Sequence, residues 1–417
     1  MSRTSHFIVA VLALCGFAPV GPVAAADPIL KQAEAERPAF METWQQLVDI
    51  DTGTGDKEGL AHVEGILVDR LKALGADVAV EPAAAGVAGN NIVATLKGSG
   101  DRNFLLMVHY DTVFGEGEAA ARPFRVENDR AYGPGVADAK GGLATIVHAL
   151  AILKALDFDG YGTLTVLFNP DEEKGSTGSR DKIAELAKQQ DYVFSYEPPD
   201  SDAVTVATNG INYVFLDVKG RSSHAGSAPE EGRNAIIELA HQLLQLNDLG
   251  DADKGTTVNW TIVHGGAKRN IIPEVASAEG DMRYSDIGEY DRVLNEAQGI
   301  VEDHLIPDTT VEFRIQQGRP PLPKNPASMA LAERAQDIYR QTGHDLDAIA
   351  MRFGTDAGYA YVPDSETPAV LETMGIVGGG LHSPDEFADA TSVVPRLYLS
   401  ARMIMDLSRS NEGVARP

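Results

Sequence analysis

The sequence FLLMVHYD spans residues 104–111 and joins a hydrophobic run directly to a histidine and an aspartate. Such an uninterrupted apolar run is typical of a strand that is buried on both faces, as the strands of parallel sheets are. Two further runs of this kind, at 163–168 and 192–195, alternate with helical patterns at 141–156 and 181–188. This alternation predicts an α/β domain with a largely parallel sheet flanked by helices.

Potential metal ligands follow each of these predicted strands. His109 comes directly after the first strand, Glu172 and Glu173 follow the second, and Glu197 follows the third. Open α/β sheets carry their sites at the carboxyl ends of the strands, so we expect these side chains to converge. Imidazole nitrogen and carboxylate oxygen are ligands that zinc accepts. The pattern therefore indicates a metal site at this edge of the sheet.

Two more candidate ligands lie outside these strands. Asp138 stands in the glycine-rich stretch 133–142, which predicts a tight turn before a helix, and His382 lies far downstream. If two zinc ions share Asp138, then His109 and Glu197 complete the first ion and Glu173 and His382 the second. Glu172 is then free to handle protons, which is the arrangement of a hydrolase.

Asp111 is a candidate for orienting the first histidine. It lies two residues after His109, so in an extended segment both side chains emerge on the same side. Its carboxylate can then accept the other ring N–H of His109 and fix the tautomer. Two Zn²⁺ ions and three carboxylate ligands leave a positive site, which favours a deprotonated water near neutral pH.

A different pattern begins near residue 210. Strand patterns at 213–219, 257–263, 277–283 and 310–316 and helical patterns at 234–246 and 287–304 follow each other in the order βαββαβ. This order predicts an inserted α+β domain of ferredoxin-like type. We expect a linker at 318–321, after which a helical pattern at 326–342 resumes the first domain. The predicted division is a catalytic domain of 27–209 and 320–417, with 210–319 inserted.

The first 26 residues predict a cleaved secretory signal. Arg3 precedes an apolar run, and Ala24-Ala25-Ala26 before Asp27 fits cleavage after small residues. A transmembrane anchor is the alternative, but the run is short and ends in prolines and small residues. A lipid anchor at Cys15, the only cysteine, is disfavoured by the bulky Leu14 before it. We therefore expect a periplasmic or secreted protein without disulfides.

The charge balance restricts the partners. The chain has 417 residues with 61 acidic and 35 basic side chains, giving a formal net charge of −26. Nucleic acids and anionic membranes are disfavoured partners for such a protein. An anionic substrate must therefore meet local positive charge.

Together these motifs resemble the co-catalytic di-zinc aminoacylase and carboxypeptidase family, and in particular its bacterial glutamate carboxypeptidases of the folate-cleaving type (carboxypeptidase G type). The resemblance covers essentially the whole chain after residue 26. The motifs that carry it are His109-x-Asp111, Gly-Pro-Gly-x-Ala-Asp138, Asp-Glu172-Glu173, Glu197-Pro, Ser-His224-Ala-Gly, Asn270-Ile-Ile-Pro and Gly354-Thr-Asp.

The resemblance implies a role for each matching residue. His109, Asp138 and Glu197 would hold one zinc ion, and Asp138, Glu173 and His382 the other. Glu172 would act as general base and then as acid, and the Asp138–Ala139 peptide bond would be cis. The inserted domain would serve as a lid and pair with its copy in a homodimer. The implied substrate contacts are His224 from the partner subunit, Asn270, Arg283, Arg319 and Gly354.

The implied reaction is cleavage of an amide bond that releases a C-terminal amino acid, with glutamate favoured by the resemblance. Peptides, folate-like compounds and N-acyl conjugates with a free carboxylate are the expected substrates. Three departures affect the side-chain pocket: Arg352 stands where the folate-cleaving relatives carry a glycine run, the stretch 202–205 has no lysine, and 383–387 differs. An N-acyl amino acid deacylase or a dipeptidase of the same family is the alternative, and a non-catalytic periplasmic binding module a further one.

Overall fold

The computed structural model describes residues 27–84, 86–363 and 365–409, so the predicted signal at 1–26 lies outside the described residues. The helices in these ranges are α1 Pro28–Val48, α2 Lys57–Leu74, α3 Glu118–Ala121, α4 Lys140–Ala155, α5 Arg180–Ala187, α6 Ala235–Gln245, α7 Gly288–Ile300, α8 Pro326–Tyr339, α9 Ala357–Ala360 and α10 Val393–Arg409. Among the described residues, none of the helices is both long and apolar enough to cross a bilayer.

The strands are β1 Asp77–Pro82, β2 Asn90–Lys97, β3 Asn103–His109, β4 Arg125–Glu127, β5 Arg130–Tyr132, β6 Thr163–Asn169, β7 Tyr192–Ser195, β8 Ala203–Thr208, β9 Gly210–Lys219, β10 Ser223–His224, β11 Thr257–Gly265, β12 Ile271–Ile272, β13 Val275–Tyr284, β14 Thr310–Arg319, β15 Asp347–Met351, β16 Ala369–Leu371, β17 Gly378–Gly379 and β18 Phe387–Asp389.

The largest sheet has six strands in the order β1-β2-β6-β3-β7-β16. Strands β6, β3, β7 and β16 are parallel, whereas β1 and β2 join the edge in antiparallel pairing. The predicted α/β sheet is therefore confirmed, and it is mixed. Because the central strands are parallel, their carboxyl ends meet at one edge of the sheet.

Helices cover both faces of this sheet, and strand β3 shows why. Phe104, Leu106 and Val108 pack into a core that contains α1, α2, α4, α8 and α10, whereas Leu105 and Met107 pack on the other face with α5 and α9. Alternate residues of a strand point to opposite faces, so an uninterrupted apolar run is needed to bury both. This double burial fixes where β3 ends, and hence where His109 lies.

The segment between β9 and β14 forms a separate antiparallel sheet with the order β11-β13-β9-β14. Helices α6 and α7 pack against it around a second apolar core, which includes Val214, Leu239 and Val293. The chain order is βαββαβ, as the sequence predicts. The domain boundaries at 209/210 and 319/320 remain predictions.

The structure corrects the expected linker at 318–321. Strand β14 continues to Arg319, with a register shift between Gln317 and Arg319 opposite β9. Gly318 lies in this irregularity and donates its N–H to Asn212 Oδ1 at 3.0 Å. A β-bulge accommodates one extra residue without ending the strand, so a glycine-proline pattern did not mark its end here.

Three small sheets were not predicted. Strands β8 and β15 form a parallel pair, β10 and β12 form an antiparallel pair, and β17, β18, β5 and β4 form a four-stranded sheet. The four-stranded sheet brings the segment around residue 380 next to the glycine-rich stretch that follows β5. Its strands have only two or three residues, which carry too little periodic pattern to be recognised in a sequence.

Candidate metal centre

The candidate ligands lie at the carboxyl ends of the parallel strands, as expected. His109 is the last residue of β3, the pair Glu172 and Glu173 follows β6 in a short 3-10 turn, and Glu197 lies two residues after β7. Asp138 lies in the loop between β5 and α4, and the Asp138–Ala139 peptide bond is cis, which confirms that expectation.

Three of these side chains form the first ligand group: His109, Asp138 and Glu197. His109 Nε2 lies 3.1 Å from Asp138 Oδ1 and 3.5 Å from Glu197 Oε1. All three residues are buried. One nitrogen and two oxygens that face each other at this range can close around a single ion.

The second ligand group consists of Asp138, Glu173 and His382. His382 Nε2 lies 3.1 Å from Asp138 Oδ2 and 3.3 Å from Glu173 Oε2. The two imidazoles therefore approach different oxygens of the same carboxylate. The structure thus brings the predicted ligands together in two groups that share Asp138. His109, Glu172 and Glu173 also lie close enough together to form a third possible group.

Asp111 lies on the Nδ1 side of the first histidine. His109 Nδ1 lies 3.0 Å from the Asp111 backbone oxygen and 3.3 Å from Asp111 Oδ1. With Nδ1 as the donor, Nε2 presents its lone pair to the ligand group. The same carboxylate accepts the backbone N–H groups of Glu172 at 3.0 Å and Glu173 at 3.3 Å. Asp111 therefore also holds the turn that carries both glutamates.

The chemistry of these side chains fits two divalent cations. Glu173 Oε1 is buried and has no hydrogen-bond partner among the described residues, so an acceptor in the second group is left unsatisfied by the protein. A buried unpaired carboxylate oxygen is costly unless a cation coordinates it. Two Zn²⁺ ions with the carboxylates of Asp138, Glu173 and Glu197 would leave a formal charge of +1.

Glu172 is next to both groups but has a partner that the sequence did not reveal. Arg319 Nη2 lies 2.7 Å from Glu172 Oε1, and the same guanidinium also donates to the Glu172 backbone oxygen. Arg319 Nε lies 3.9 Å from Asp356 Oδ1. Arg319, which the sequence predicts to bind the carboxylate of a substrate, is therefore already paired with two acids of the site.

The acids around the two histidines of the site raise the pKa values of both imidazoles. Burial lowers the pKa of His109, but Glu197, Asp111 and Asp138 together raise it well above its usual value. Hydrogen bonds to Asp138 and Glu173 raise the pKa of His382 to about 10. Because a metal ion binds the neutral imidazole, it competes with these protons.

The carboxyl groups are perturbed in both directions. Burial raises the pKa of Glu172 well above its usual value, with Arg319 opposing the shift. Burial also raises the pKa of Glu197 to about 7, with His109 opposing. For Asp138, burial raises the pKa, but hydrogen bonds from His109 and His382 outweigh it and the pKa falls below its usual range. Perturbed carboxyl groups in one cleft are typical of catalytic sites.

Both ligand groups open into a cavity of about 390 Å³. Its polar wall contains Asp138, the two glutamates after β6, Glu197, His382 and Arg319, together with Thr355. The remaining wall is largely apolar and consists of Pro198, Ile211, Phe353, Gly354 and Leu381. A cavity of this size admits an amino acid or a small acyl group.

Three predicted substrate contacts do not line this cavity. His224 and Asn270 are exposed and lie next to each other on the inserted segment, where Ala225 N–H donates to the Asn270 backbone oxygen at 3.0 Å. Arg283, in β13, pairs with Asp281 at 2.8 Å instead. Within one chain the structure therefore brings Arg319 and Gly354 to the site, but not these three residues.

Sequence reasoning gave no role to Asp356, which supports Arg319. Its Oδ2 accepts a hydrogen bond from Asn169 Nδ2 at 2.7 Å, and its Oδ1 accepts one from Ser176. The signal was present, because Asp356 ends the Gly354-Thr-Asp motif. Asp356 lies within ion-pair distance of Arg319, whose Nε is 3.9 Å from Asp356 Oδ1, and it belongs to none of the candidate ligand groups.

The chain is similar to known peptidases over most of its length. Residues 105–406 match the profile described as peptidase family M20/M25/M40. Carboxypeptidase G2 from Pseudomonas sp. (strain RS-16) is 42% identical over 404 residues, covering 96% of this chain and 97% of that protein. Acetylornithine deacetylase from Proteus mirabilis (strain HI4320) is 26% identical, covering 88% of this chain and 96% of that protein.

The fold comparison agrees with the sequence comparison. A tripeptidase structure from Staphylococcus aureus superposes with a TM-score of 0.75 and covers 90% of this chain and 99% of that one. Its sequence identity is 23%, so this likeness concerns the fold.

The raised pKa values of the two histidines predict that zinc binding releases protons. Near pH 7 both imidazoles carry a proton that the metal must displace, and Glu197, with a pKa of about 7, is partly protonated as well. We therefore expect at least about two protons to leave as both ions bind. Affinity should therefore rise as the pH rises from about 6 to about 9. Calorimetry in buffers of different ionisation enthalpy measures this release. The variant His241→Gln, on the inserted segment, should behave as wild type, whereas binding without proton release would contradict the prediction.

Proposed function

The chain belongs to the M20/M25/M40 peptidase family and is a zinc-dependent hydrolase, and on this premise we propose that it is a di-zinc carboxypeptidase. It would cleave an amide bond and release the C-terminal amino acid of a peptide, a folate-like compound or an N-acyl conjugate. We propose glutamate as the released residue because the motifs resemble glutamate carboxypeptidases. The observation that carries the proposal is the pair of ligand groups that share Asp138, with Glu172 beside them and paired with Arg319.

His109, Asp138 and Glu197 would hold one zinc ion, and Asp138, Glu173 and His382 the other. When bound, such ions polarise a carbonyl group and lower the pKa of water, so that a nucleophile is available near neutral pH. A carboxylate shared by both groups would let Asp138 contribute to both ions, as in other two-metal hydrolytic sites.

Glu172 would move the proton. Its carboxyl is buried beside both ligand groups, and burial raises its pKa well above its usual value. A general base with a pKa shifted toward neutrality can take a proton from water and return it to the leaving nitrogen. The ion pair with Arg319 keeps this carboxylate in place.

Arg319 would bind the carboxylate of the substrate. It is the one arginine or lysine among the described residues that line the cavity. A guanidinium can form two parallel hydrogen bonds to a carboxylate. Asp356 at 3.9 Å from Nε supports its orientation. A substrate with a free carboxylate therefore fits this cavity.

The rest of the cavity wall is relevant to which side chain the released amino acid can have. Arg352 is exposed and is not among the lining residues, so it neither crowds the cavity nor adds charge to it in this conformation. Its neighbour Phe353 lines the cavity instead, as Ile211 does. A glutamate side chain would therefore need positive charge from outside the cavity of one chain.

We propose that the segment 210–319 forms a homodimer. Strand β11 is at the edge of its sheet, and Ile262 and Val263 on it are 45% and 60% exposed. Ile237 and Leu244 of the neighbouring helix α6 are also exposed. An edge strand with exposed apolar side chains is a template for pairing with another strand.

Such a dimer would let His224 reach the site of the partner. Its Nδ1 accepts hydrogen bonds from the N–H groups of Gly226 and Ser227, both at 3.1 Å. Nε2 then carries the proton and can donate to the oxygen of a reacting carbonyl. Asn270 lies beside it and would contribute to the same contact.

The location proposed from the sequence is the periplasm or the exterior, through a cleaved signal at 1–26. The acidic chain, with a net charge of −26, is not suited to nucleic acids or to anionic membranes. A deacylase or dipeptidase of the same family is the second candidate, and its support is the 26% identical acetylornithine deacetylase.

A substrate panel tests the proposed reaction. We expect wild-type enzyme to release the C-terminal residue from benzoyl-, folate- and dipeptidyl-glutamate, and chelation followed by zinc to remove and restore this activity. Substrates with a C-terminal amide should be cleaved at least about tenfold less efficiently, because they lose the charged contact to Arg319. Cleavage of N-acetylated amino acids or dipeptides alone would favour the second candidate.

Replacement of the proposed base separates chemistry from metal binding. We expect Glu172→Gln to lower kcat by about 10²–10⁴-fold, because the amide cannot accept the proton. Zinc content should stay at the wild-type value, since neither proposed ion needs Glu172. Glu185→Gln, on the surface of α5, is the control and should leave kcat unchanged. A Glu172→Gln enzyme with near wild-type kcat would contradict this role.

Complementation between variant subunits tests whether His224 acts in the site of the partner subunit. We expect His224→Ala and Glu172→Gln each to be nearly inactive as homodimers. A purified heterodimer of the two should regain about half of the wild-type activity, because one of its two sites combines an intact Glu172 with the intact His224 of the partner. If His224 serves its own subunit, both sites of the heterodimer are defective and it stays inactive.

A further inference from the structure

Glu386 is a fully buried carboxylate that faces the loop of the shared ligand. Its Oε2 accepts the backbone N–H of Gly135 at 2.9 Å. Its Oε1 accepts the backbone N–H groups of Ala137 at 2.9 Å and Asp138 at 3.0 Å. One side chain therefore satisfies three backbone donors of the loop that carries Asp138.

This loop depends on such an acceptor. It connects β5 to α4 without regular secondary structure, and Gly135 within it has a left-handed backbone with φ of 71°. Its backbone is buried, so its N–H groups cannot form hydrogen bonds to water. A carboxylate that receives three of them fixes the course of the loop up to Asp138.

Glu386 also belongs to the turn that carries His382. The turn lies between β17 and β18, and Glu386 N–H donates to the Ser383 backbone oxygen at 3.2 Å. The side chain of His382 is 56% exposed, so little packing holds it. Its position therefore depends mainly on the backbone of the turn, which Glu386 ties to the loop of Asp138.

We propose that Glu386 is a positioning residue that sets the separation of Asp138 and His382. It thereby sets the affinity of the ion held by Asp138, Glu173 and His382. This role rests on the proposed di-zinc function. The other group depends on it less, because His109 and Glu197 are positioned by the ends of β3 and β7.

The substitution Glu386→Gln keeps the size of the side chain but replaces one acceptor oxygen with an NH₂ group. This group must face either the N–H of Gly135 or the N–H groups of Ala137 and Asp138, and donors repel each other. We expect the loop to shift away from the turn, and one of the two zinc ions to bind at least about tenfold more weakly.

The experiment is a zinc titration of metal-free wild type, Glu386→Gln and a matched control. Glu238→Gln is the control, because Glu238 is also fully buried and accepts the backbone N–H of Ile306 at 2.6 Å, but in the inserted segment. Wild type and the control should each bind two ions, and the affinities of the control should equal those of the wild type. Glu386→Gln should keep one tight ion, and added zinc should restore its activity.

Binding of both ions by Glu386→Gln with wild-type affinity would overturn the positioning role and leave the proposed function intact. A wild type that binds a single ion would overturn both. Circular dichroism of the metal-free proteins shows whether each variant folds. If Glu386→Gln does not, Glu386→Asp replaces it: the shorter acid keeps the charge but does not reach all three N–H groups. For Glu386→Asp we again expect one of the two zinc ions to bind more weakly. Binding of both ions with wild-type affinity would again overturn the positioning role.

Discussion

Mutual repulsion between acidic side chains is the constraint on which this structure depends. Four carboxylates, those of Asp138, Glu172, Glu173 and Glu197, line one small cavity. Such a cluster is stable only when cations compensate the charge or when some of the acids are protonated, because buried like charges repel strongly at this range. Two imidazoles and Arg319 provide part of the compensation. In the proposed function, two divalent ions would complete it and would supply Lewis-acid chemistry.

The fold meets this constraint by bringing the ends of a few strands and one loop together. Parallel strands β3, β6 and β7 bring three segments of the chain to one edge, and each strand ends next to a ligand. The glycine-rich loop delivers Asp138 between the two imidazoles. In the proposed site, Asp111, Asp356 and Glu386 would touch neither substrate nor metal. They contact the segments that carry the proposed catalytic residues and ligands. Catalytic geometry here therefore depends on buried hydrogen bonds as much as on the ligands themselves.

The sequence predicted what is local or periodic. The buried strands, the ferredoxin-like insertion and the ligands after strand ends could all be identified, because each follows from a run or spacing of a few residues. The motif resemblance supplied the grouping of the ligands, and the geometry agrees with it.

The contacts between distant segments could not be predicted. Arg319 pairs with a glutamate 147 residues away, and Glu386 reaches a loop about 250 residues away. Neither contact could be recognised from neighbouring residues, because the sequence does not distinguish a single buried acid from an acid on the surface. The bulge at Gly318 was missed for a related reason: a glycine before prolines is more often a loop than a strand.

A zinc-loaded crystal measured at the zinc absorption edge tests the shared-carboxylate centre most directly. We expect two anomalous peaks about 3.5–4 Å apart, one on each side of the Asp138 carboxylate. The first should be coordinated by His109 and Glu197, and the second by Glu173 and His382. A single peak, or two peaks that do not share Asp138, would contradict this centre.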